Sequence, residues 1–118
     1  MKLKHLIHAA VLPCALVCGT AHADDHVVGR HITRIGCHHV NGTCYVSLDG
    51  AAFGASENCA SAPAGSNQFR FDNAETADGR RTYASLLAAF LSQRPVSVLI
   101  RGCSGQGVPS LLYYELAQ

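Results

Sequence analysis

The residues whose types could support chemistry are concentrated in GCHHVNGTC, from Gly36 to Cys44. Two cysteines and two adjacent histidines could bind a metal ion, form a redox centre or close a turn with a disulfide. Structural zinc needs four converging ligands, commonly as two close pairs, and no second pair lies near this one in the sequence. Neighbouring side chains of a strand point to opposite faces, so His38 and His39 are not expected to share an ion. The chain also lacks the Cys-x-x-Cys spacing typical of redox centres, and we predict no metal and no cofactor.

The first 23 residues predict a compartment in which cysteines are oxidised. Lys2 and Lys4 precede an apolar run, Ala9–Cys18, that is too short to cross a bilayer. Ala21-His22-Ala23 then fits the small-x-small rule for signal peptidase. We therefore predict a bacterial signal peptide over residues 1–23 and a periplasmic or secreted protein that does not insert into a membrane after cleavage. The remaining residues, 24–118, are few enough to form a single domain.

The charges of residues 24–118 argue against nucleic acid as a partner. Seven arginines and no lysine stand against eight carboxylates, which gives a net charge of −1. A nucleic-acid binder needs an excess of cations to displace the counterions of the phosphate backbone. The partners that we expect are therefore a glycan or another protein.

The cysteines that follow the signal peptide predict two disulfides, because an even number in a small exported domain is typical of a disulfide framework. They are Cys37, Cys44, Cys59 and Cys103, and three connectivities are possible. A two-residue turn at Asn41-Gly42 would leave Cys37 diagonal to Cys44, whereas a four-residue loop from His39 to Gly42 would put them directly opposite. We predict the longer loop with a Cys37–Cys44 bridge, a positive φ at Gly42, and a second bridge between Cys59 and Cys103.

Apolar patterning predicts five strands and one helix. The strands are His26–Gly36, Thr43–Asp49, Gln68–Asp72, Val96–Arg101 and Ser110–Leu116. The residues between Gly50 and Asn67 form a long loop, with at most a single turn near Phe53. The order β-β-β-α-β-β is that of an OB-fold, a five-stranded Greek-key barrel. Other small α+β folds with one helix are the alternative.

The helix is predicted over residues 79–93, with Asp78 as its N-terminal cap. An apolar stripe at helical spacing predicts which side chains enter the core. It consists of Tyr83, Leu86, Leu87, Phe90 and Leu91.

No sequence pattern indicates catalysis. A Ser/His/Asp order or a close pair of carboxylates does not stand out, so we predict no catalytic residue and a protein that is not an enzyme. Tyr45, Tyr113 and Tyr114 could stack on a sugar or mark an interface with a partner. The alternative for these three tyrosines is ordinary packing on half-buried strands.

The segments NGTCYVSLDG, FRFD, YASLLAAFLSQ, VSVLIRGC and SLLYYEL, in this order, resemble a group of small exported bacterial proteins of unknown function. More distantly, the layout is similar to the B subunits of subtilase-cytotoxin-like and typhoid-toxin-like AB5 toxins. That resemblance implies an OB-fold with a disulfide, and a homo-oligomer, a pentamer, that binds cell-surface glycans. It rests on layout, and it assigns no individual glycan-binding residue.

These observations together predict an exported, non-enzymatic binding module whose ligand is a glycan or a protein. The alternative is a periplasmic inhibitor or protein-interaction domain that acts on a partner enzyme, for example through the loop between Gly50 and Asn67.

Overall fold

The computed structural model of the protein describes residues 24–62 and 66–117, so the predicted signal peptide lies outside the described residues. The elements follow one another as β1 Asp25–Arg30, β2 Ile32–Cys37, β3 Cys44–Leu48, β4 Gln68–Phe71, α1 Ala77–Ser92, β5 Val96–Cys103 and β6 Pro109–Leu116. A short 3-10 helix, Ala55–Glu57, precedes β4. The prediction of a mainly β protein with one helix is confirmed. Within this range no helix has the length and apolar composition needed to span a bilayer.

All six strands belong to one sheet with the order β1-β5-β6-β4-β3-β2. Every neighbouring pair is antiparallel except β4 and β6, which are parallel. β1 and β2 lie at opposite ends of this order, although only His31 separates them in the chain. The sheet must therefore curl until its two edge strands meet at His31, but strand pairing does not close it.

The expected closed barrel of five strands is thus wrong in strand number and in closure. The single strand predicted from His26 to Gly36 is divided, and its two halves pair with different partners. Arg30 lies opposite Val96 of β5, whereas Ile32 lies opposite Leu48 of β3. An irregular register in β1 precedes the division, near Gly29, which has a φ of 63°, a backbone conformation that glycine adopts without strain.

Strand alternation correctly predicts the face of the sheet that forms the core. On β3, alternate side chains are fully buried, and the phenylalanines of β4 lie behind the same face. Burial of one such aromatic or aliphatic side chain contributes roughly 1.5–3 kcal/mol. The central strands therefore stabilise the fold through one shared core, which includes Cys44, Val46, Leu48, Phe69, Phe71, Val96, Val98 and Ile100.

The helix differs from the predicted one in its first and last residues and in the burial of one side chain. It begins at Ala77, because the Thr76 hydroxyl, rather than Asp78, caps it by accepting the Gly79 N–H at 3.1 Å. It ends at Ser92. Leu91 was expected in the core but is 73% exposed. It follows the fully buried Leu86 by five residues, which turns it about 140° around the helix axis.

Both predicted disulfides are present with the predicted pairing. Cys37 lies directly opposite Cys44, and the Cα atoms are 3.9 Å apart. The longer loop is confirmed as well, since the His38 N–H donates to the Thr43 carbonyl at 2.8 Å and Gly42 has a φ of 64°. The Cys59–Cys103 bridge ties the segment before β4 to the end of β5, with 5.6 Å between Cα atoms.

Candidate ligand-binding face

The outer surface of β2, β3 and β4 carries six positions in two rows. Opposing residues across the three strands form the rows Gly36–Tyr45–Arg70 and Arg34–Ser47–Gln68. The residues between them in sequence point into the core, so these six lie on the opposite side of the sheet, where Ser47 is itself buried. We call this surface the β2–β4 face. In the register of the three strands, Tyr45 lies between Gly36 on one side and Arg70 on the other.

The Tyr45 ring lies across the backbone of β2 because Gly36 leaves room for it. A Cβ atom on Gly36 would stand 2.6 Å from the Tyr45 hydroxyl oxygen and 2.8 Å from its Cζ atom. The His38 ring flanks the tyrosine, with 5.9 Å between ring centroids and 59° between ring planes. The tyrosine is half-buried.

Polar side chains continue the β2–β4 face beside the tyrosine. The Arg70 Nε and Nη2 atoms both donate to the Gln68 side-chain oxygen at 3.4 Å. The Gln68 amide in turn donates to the Ser47 hydroxyl at 3.4 Å. These contacts are long for hydrogen bonds, so they orient the guanidinium without using up its capacity to bind another acceptor.

The two arginines on this face have no acidic partner among the described residues. Ion pairs within residues 24–62 and 66–117 join Arg81 to Asp78 and Arg101 to Asp24, and His31 contacts Asp49. Arg34 and Arg70 belong to none of them. The β2–β4 face is therefore locally cationic although the domain as a whole is slightly acidic.

Asp72, which follows β4, holds together the two hairpins beside this face. Its Oδ1 accepts the Thr43 hydroxyl at 3.0 Å, and its Oδ2 accepts the Gly105 N–H at 2.7 Å. Thr43 belongs to the β2–β3 hairpin and Gly105 to the β5–β6 hairpin. The aspartate thus links both hairpins at the end of the sheet where Tyr45 lies.

The three tyrosines predicted as ligand or interface residues do not come together. The row that contains Tyr45 and Arg70 reaches β6 at Ser110, and Tyr113 lies three residues, or about 10 Å, further along β6. Tyr113 is 50% exposed, whereas Tyr114 is partly buried against the core. The structure therefore separates Tyr45 from a second surface on β6.

The electrostatic environment of the second surface is acidic. The Tyr113 hydroxyl donates to a Glu115 carboxylate oxygen at 3.2 Å. This hydrogen bond and the negative charge of Glu115 raise the pKa of Tyr113 above its ordinary value, because the phenolate would lose the bond and be repelled.

Sequence reasoning missed Arg34, Gly36, Gln68 and Arg70 as members of a site. Strand alternation could have shown that Gln68 and Arg70 point away from the core, since Phe69 and Phe71 point into it. What brings them beside Tyr45 is the pairing of β3 with β4, which alternation does not reveal.

Comparison with protein-family models and with curated protein sequences found no match to this chain. Among the described residues, no group of three or more histidine, cysteine or acidic side chains is arranged to hold a metal ion. The chemistry of the β2–β4 face is therefore argued from its own geometry.

Proposed function

We propose that the protein is an exported, non-enzymatic binding module that holds an acidic glycan on the β2–β4 face. The observation that carries this proposal is the half-buried Tyr45 on the same face as Arg70 and Arg34, which have no acidic partner within the described part of the chain. A sugar ring presents an apolar face that stacks on an aromatic ring, and its hydroxyl groups accept and donate hydrogen bonds. A carboxylate or sulfate on the sugar suits arginine, whose planar fork binds such groups with two parallel hydrogen bonds.

Each residue of the face has a separate part in this proposal. Tyr45 supplies the stacking surface, and Gly36 allows the ring to lie flat. Arg70 supplies the anion contact beside the ring, and Arg34 adds a second cation one row away. The contacts between Arg70 and Gln68 are long, so the guanidinium can turn toward a ligand at little cost.

We further propose that the curled six-stranded sheet is a variant of the OB layout, in which the first strand of that layout is divided at His31 into β1 and β2. The other strands would then occupy the places of the remaining OB strands, without closure of the barrel by strand pairing. In that fold the face of the second and third strands is a frequent site for oligosaccharides and oligonucleotides. The corresponding strands are β3 and β4, which carry Tyr45 and Arg70. This step is an analogy at the level of fold.

A panel of immobilised neutral, carboxylated and sulfated oligosaccharides tests the proposed function. We expect the protein to bind the acidic members of the panel. The substitutions Tyr45→Ala and Arg70→Gln should each weaken this binding at least tenfold, which corresponds to about 1.4 kcal/mol. Tyr113→Ala, a change of a half-exposed tyrosine on the other surface, is the matched control and should bind like the original protein. The proposal would be contradicted if neither substitution weakened binding, or if the protein bound neutral sugars more tightly than acidic ones.

The alternative of an inhibitor that inserts the segment between Gly50 and Asn67 into an enzyme has less support. The described part of this segment is tied to the domain rather than projecting from it. Phe53 is buried, Glu57 accepts the Gly102 N–H from within the protein, and the Ser61 N–H donates to Gly107 at 2.8 Å. Cys59 adds a covalent link to β5.

The resemblance to toxin B subunits adds a proposal about assembly. Several copies of one weak glycan site gain avidity when they act together, so a pentamer would suit this function. Measurement of the solution mass tests this part separately. A monomer at high concentration would contradict the proposed pentamer. It would not bear on the glycan site of the single chain, which the oligosaccharide panel tests.

A further inference from the structure

Strand β6 has two neighbours only at its beginning. On one side, β5 pairs with it as far as Leu116. On the other side, β4 meets it at a single residue pair, Arg70 with Ser110, and β4 ends at Phe71. Within the described residues, the stretch Leu112–Leu116 therefore has one edge without a strand partner. We call this stretch the β6 edge.

A groove runs between the β6 edge and the helix α1. Its volume is about 590 Å³, and its floor and walls include every residue from Leu111 to Leu116 together with Phe71, Asn73, Thr82 and Ser85. In an antiparallel pair, alternate residues direct their N–H and C=O groups away from the partner strand. The β6 edge thus directs backbone donors and acceptors into this groove, at the spacing that another strand would need.

The side chains of the β6 edge are unusually apolar for an exposed strand. Leu112 and Tyr113 are each 50% exposed, and Leu116 is 45% exposed. Exposed edges in soluble proteins are commonly protected by charged side chains, proline or a short length. Glu115 is the one charged residue of the β6 edge, which has no proline, and an apolar, unpaired edge is the type of surface that binds an added strand.

The charge of the groove indicates which strand would fit. Glu115 contacts the Tyr113 hydroxyl and forms no ion pair among the described residues. Asp78 and Arg81 of α1 do not line the groove, and they pair with each other. One carboxylate is therefore left without a cation beside an apolar edge, and a lysine or arginine on the incoming strand would complement it.

We infer that the β6 edge binds an extended peptide segment of a partner protein, in which apolar residues alternate with polar ones and include a lysine or arginine. The peptide adds a strand to β6 along α1. Five residues of peptide, about 17 Å long, would match the length of the edge. This surface is distinct from the β2–β4 face, so the inference does not rest on the proposed glycan function.

Selection of linear seven-residue peptides from a phage-displayed library on the purified protein tests the inference. We expect the selected peptides to alternate apolar and polar residues and to contain a basic residue. The substitution Ser85→Tyr, which fills the groove from the helix, should weaken their binding at least tenfold. Ala88→Tyr is the matched control, because Ala88 is exposed on the same helix and does not line the groove. Glu115→Gln should weaken binding about threefold and remove its dependence on salt.

Amide hydrogen exchange provides a readout that does not depend on any variant. Binding of a selected peptide should slow exchange at alternate residues of the β6 edge and leave the β2–β4 face unchanged. Selected peptides without a basic residue, or equal binding by Ser85→Tyr and Ala88→Tyr, would overturn the inference. A third outcome would also overturn it: protection of these amides without peptide that increases with the protein concentration. The edge would then be an interface between copies of this chain.

Discussion

The β2–β4 face and the β6 edge belong to one sheet, but strand pairing has left different groups available on each. On the β2–β4 face, β3 is paired on both sides and β2 is an edge strand, and the surface offers the side chains of a tyrosine, two arginines and a glutamine. On the β6 edge, half of the backbone is unpaired and the side chains are mostly apolar, with one carboxylate. The face of a sheet recognises a ligand through side-chain chemistry, whereas an unpaired edge beside a groove can also recognise the backbone of another chain.

The largest effects are expected from removal of the disulfides. We expect replacement of both Cys59 and Cys103 by alanine to lower the free energy of unfolding by about 4 kcal/mol, and replacement of Cys37 and Cys44 to lower it by about 2.5 kcal/mol, because the longer loop gains more entropy when released. Urea denaturation measures both values. A larger loss from the shorter loop would contradict this order.

The same pair of variants bears on the comparison itself. The Cys37–Cys44 bridge closes the hairpin that follows the row of Tyr45, so its removal should weaken binding of acidic oligosaccharides. Peptide binding at the β6 edge should not change. Equal effects on both ligands would show that the two surfaces are not independent.

The substitution Gly36→Ala is expected to disturb the β2–β4 face alone. Its new methyl group would stand 2.6 Å from the Tyr45 hydroxyl oxygen, so the ring must leave its position on β2. We expect binding of acidic oligosaccharides to fall about tenfold, which is about 1.4 kcal/mol, with a change below about 1 kcal/mol in the free energy of unfolding.

Gly105→Ala is the matched control for this experiment. The nearest atom to its new Cβ would be Asp72 Oδ2 at 3.5 Å, an ordinary contact. Similar losses of binding in Gly36→Ala and Gly105→Ala would show that the position of the Tyr45 ring is not what matters.

A smaller effect is expected at the ion pair between Asp24 and Arg101, which lies on neither surface. The hydrogen bond from Arg101 holds the pKa of Asp24 below its usual value of 3.8. A carboxyl whose pKa is lower in the folded state stabilises the fold above the unfolded pKa, and this contribution disappears as the pH falls through the folded value. We expect the original protein to lose stability more steeply than Arg101→Gln as the pH falls below 3.8.

Urea denaturation across this acidic range measures the difference between the two proteins. At neutral pH, Arg101→Gln should bind both oligosaccharide and peptide normally. If the free energies of unfolding of the two proteins changed in parallel with pH, the assignment of the ion pair would be contradicted. Altered binding of either ligand would show that the ion pair is not separate from the two surfaces.

The smallest expected effect concerns the electrostatics of the β6 edge. Glu115→Gln removes the carboxylate that raises the pKa of Tyr113 by its hydrogen bond and by its negative charge, so this pKa should move down toward its ordinary value of 10.0. Titration followed by ultraviolet absorbance measures the change, with Tyr113→Phe subtracted to isolate this residue from the other tyrosines. An unchanged pKa would indicate that the carboxylate does not act on the phenol.

The hairpin from Gly36 to Cys44 shows how far local reasoning can reach. The number of residues between the cysteines, together with the geometry of strand pairs, was enough to predict the loop length, the bridge and the backbone of Gly42. The helix shows where such reasoning stops. Thr76 and Asp78 are both suitable capping residues. The conformation of the turn before the helix decides which of them takes the capping position. Leu91 fits an apolar stripe, but the sheet covers only the side of the helix near Leu86.

Features that arise from near neighbours could be predicted from the residues alone: a mainly β chain with one helix, the buried side of the strands and the two disulfides. The fold was needed to find that β1 and β2 are separate strands, that Tyr45 lies opposite Arg70, and that β6 keeps an open edge after Ser110. Alternation and spacing are set by bonds along the chain. The register between strands, in contrast, is set by contacts between residues far apart in sequence, and these contacts create both proposed binding surfaces.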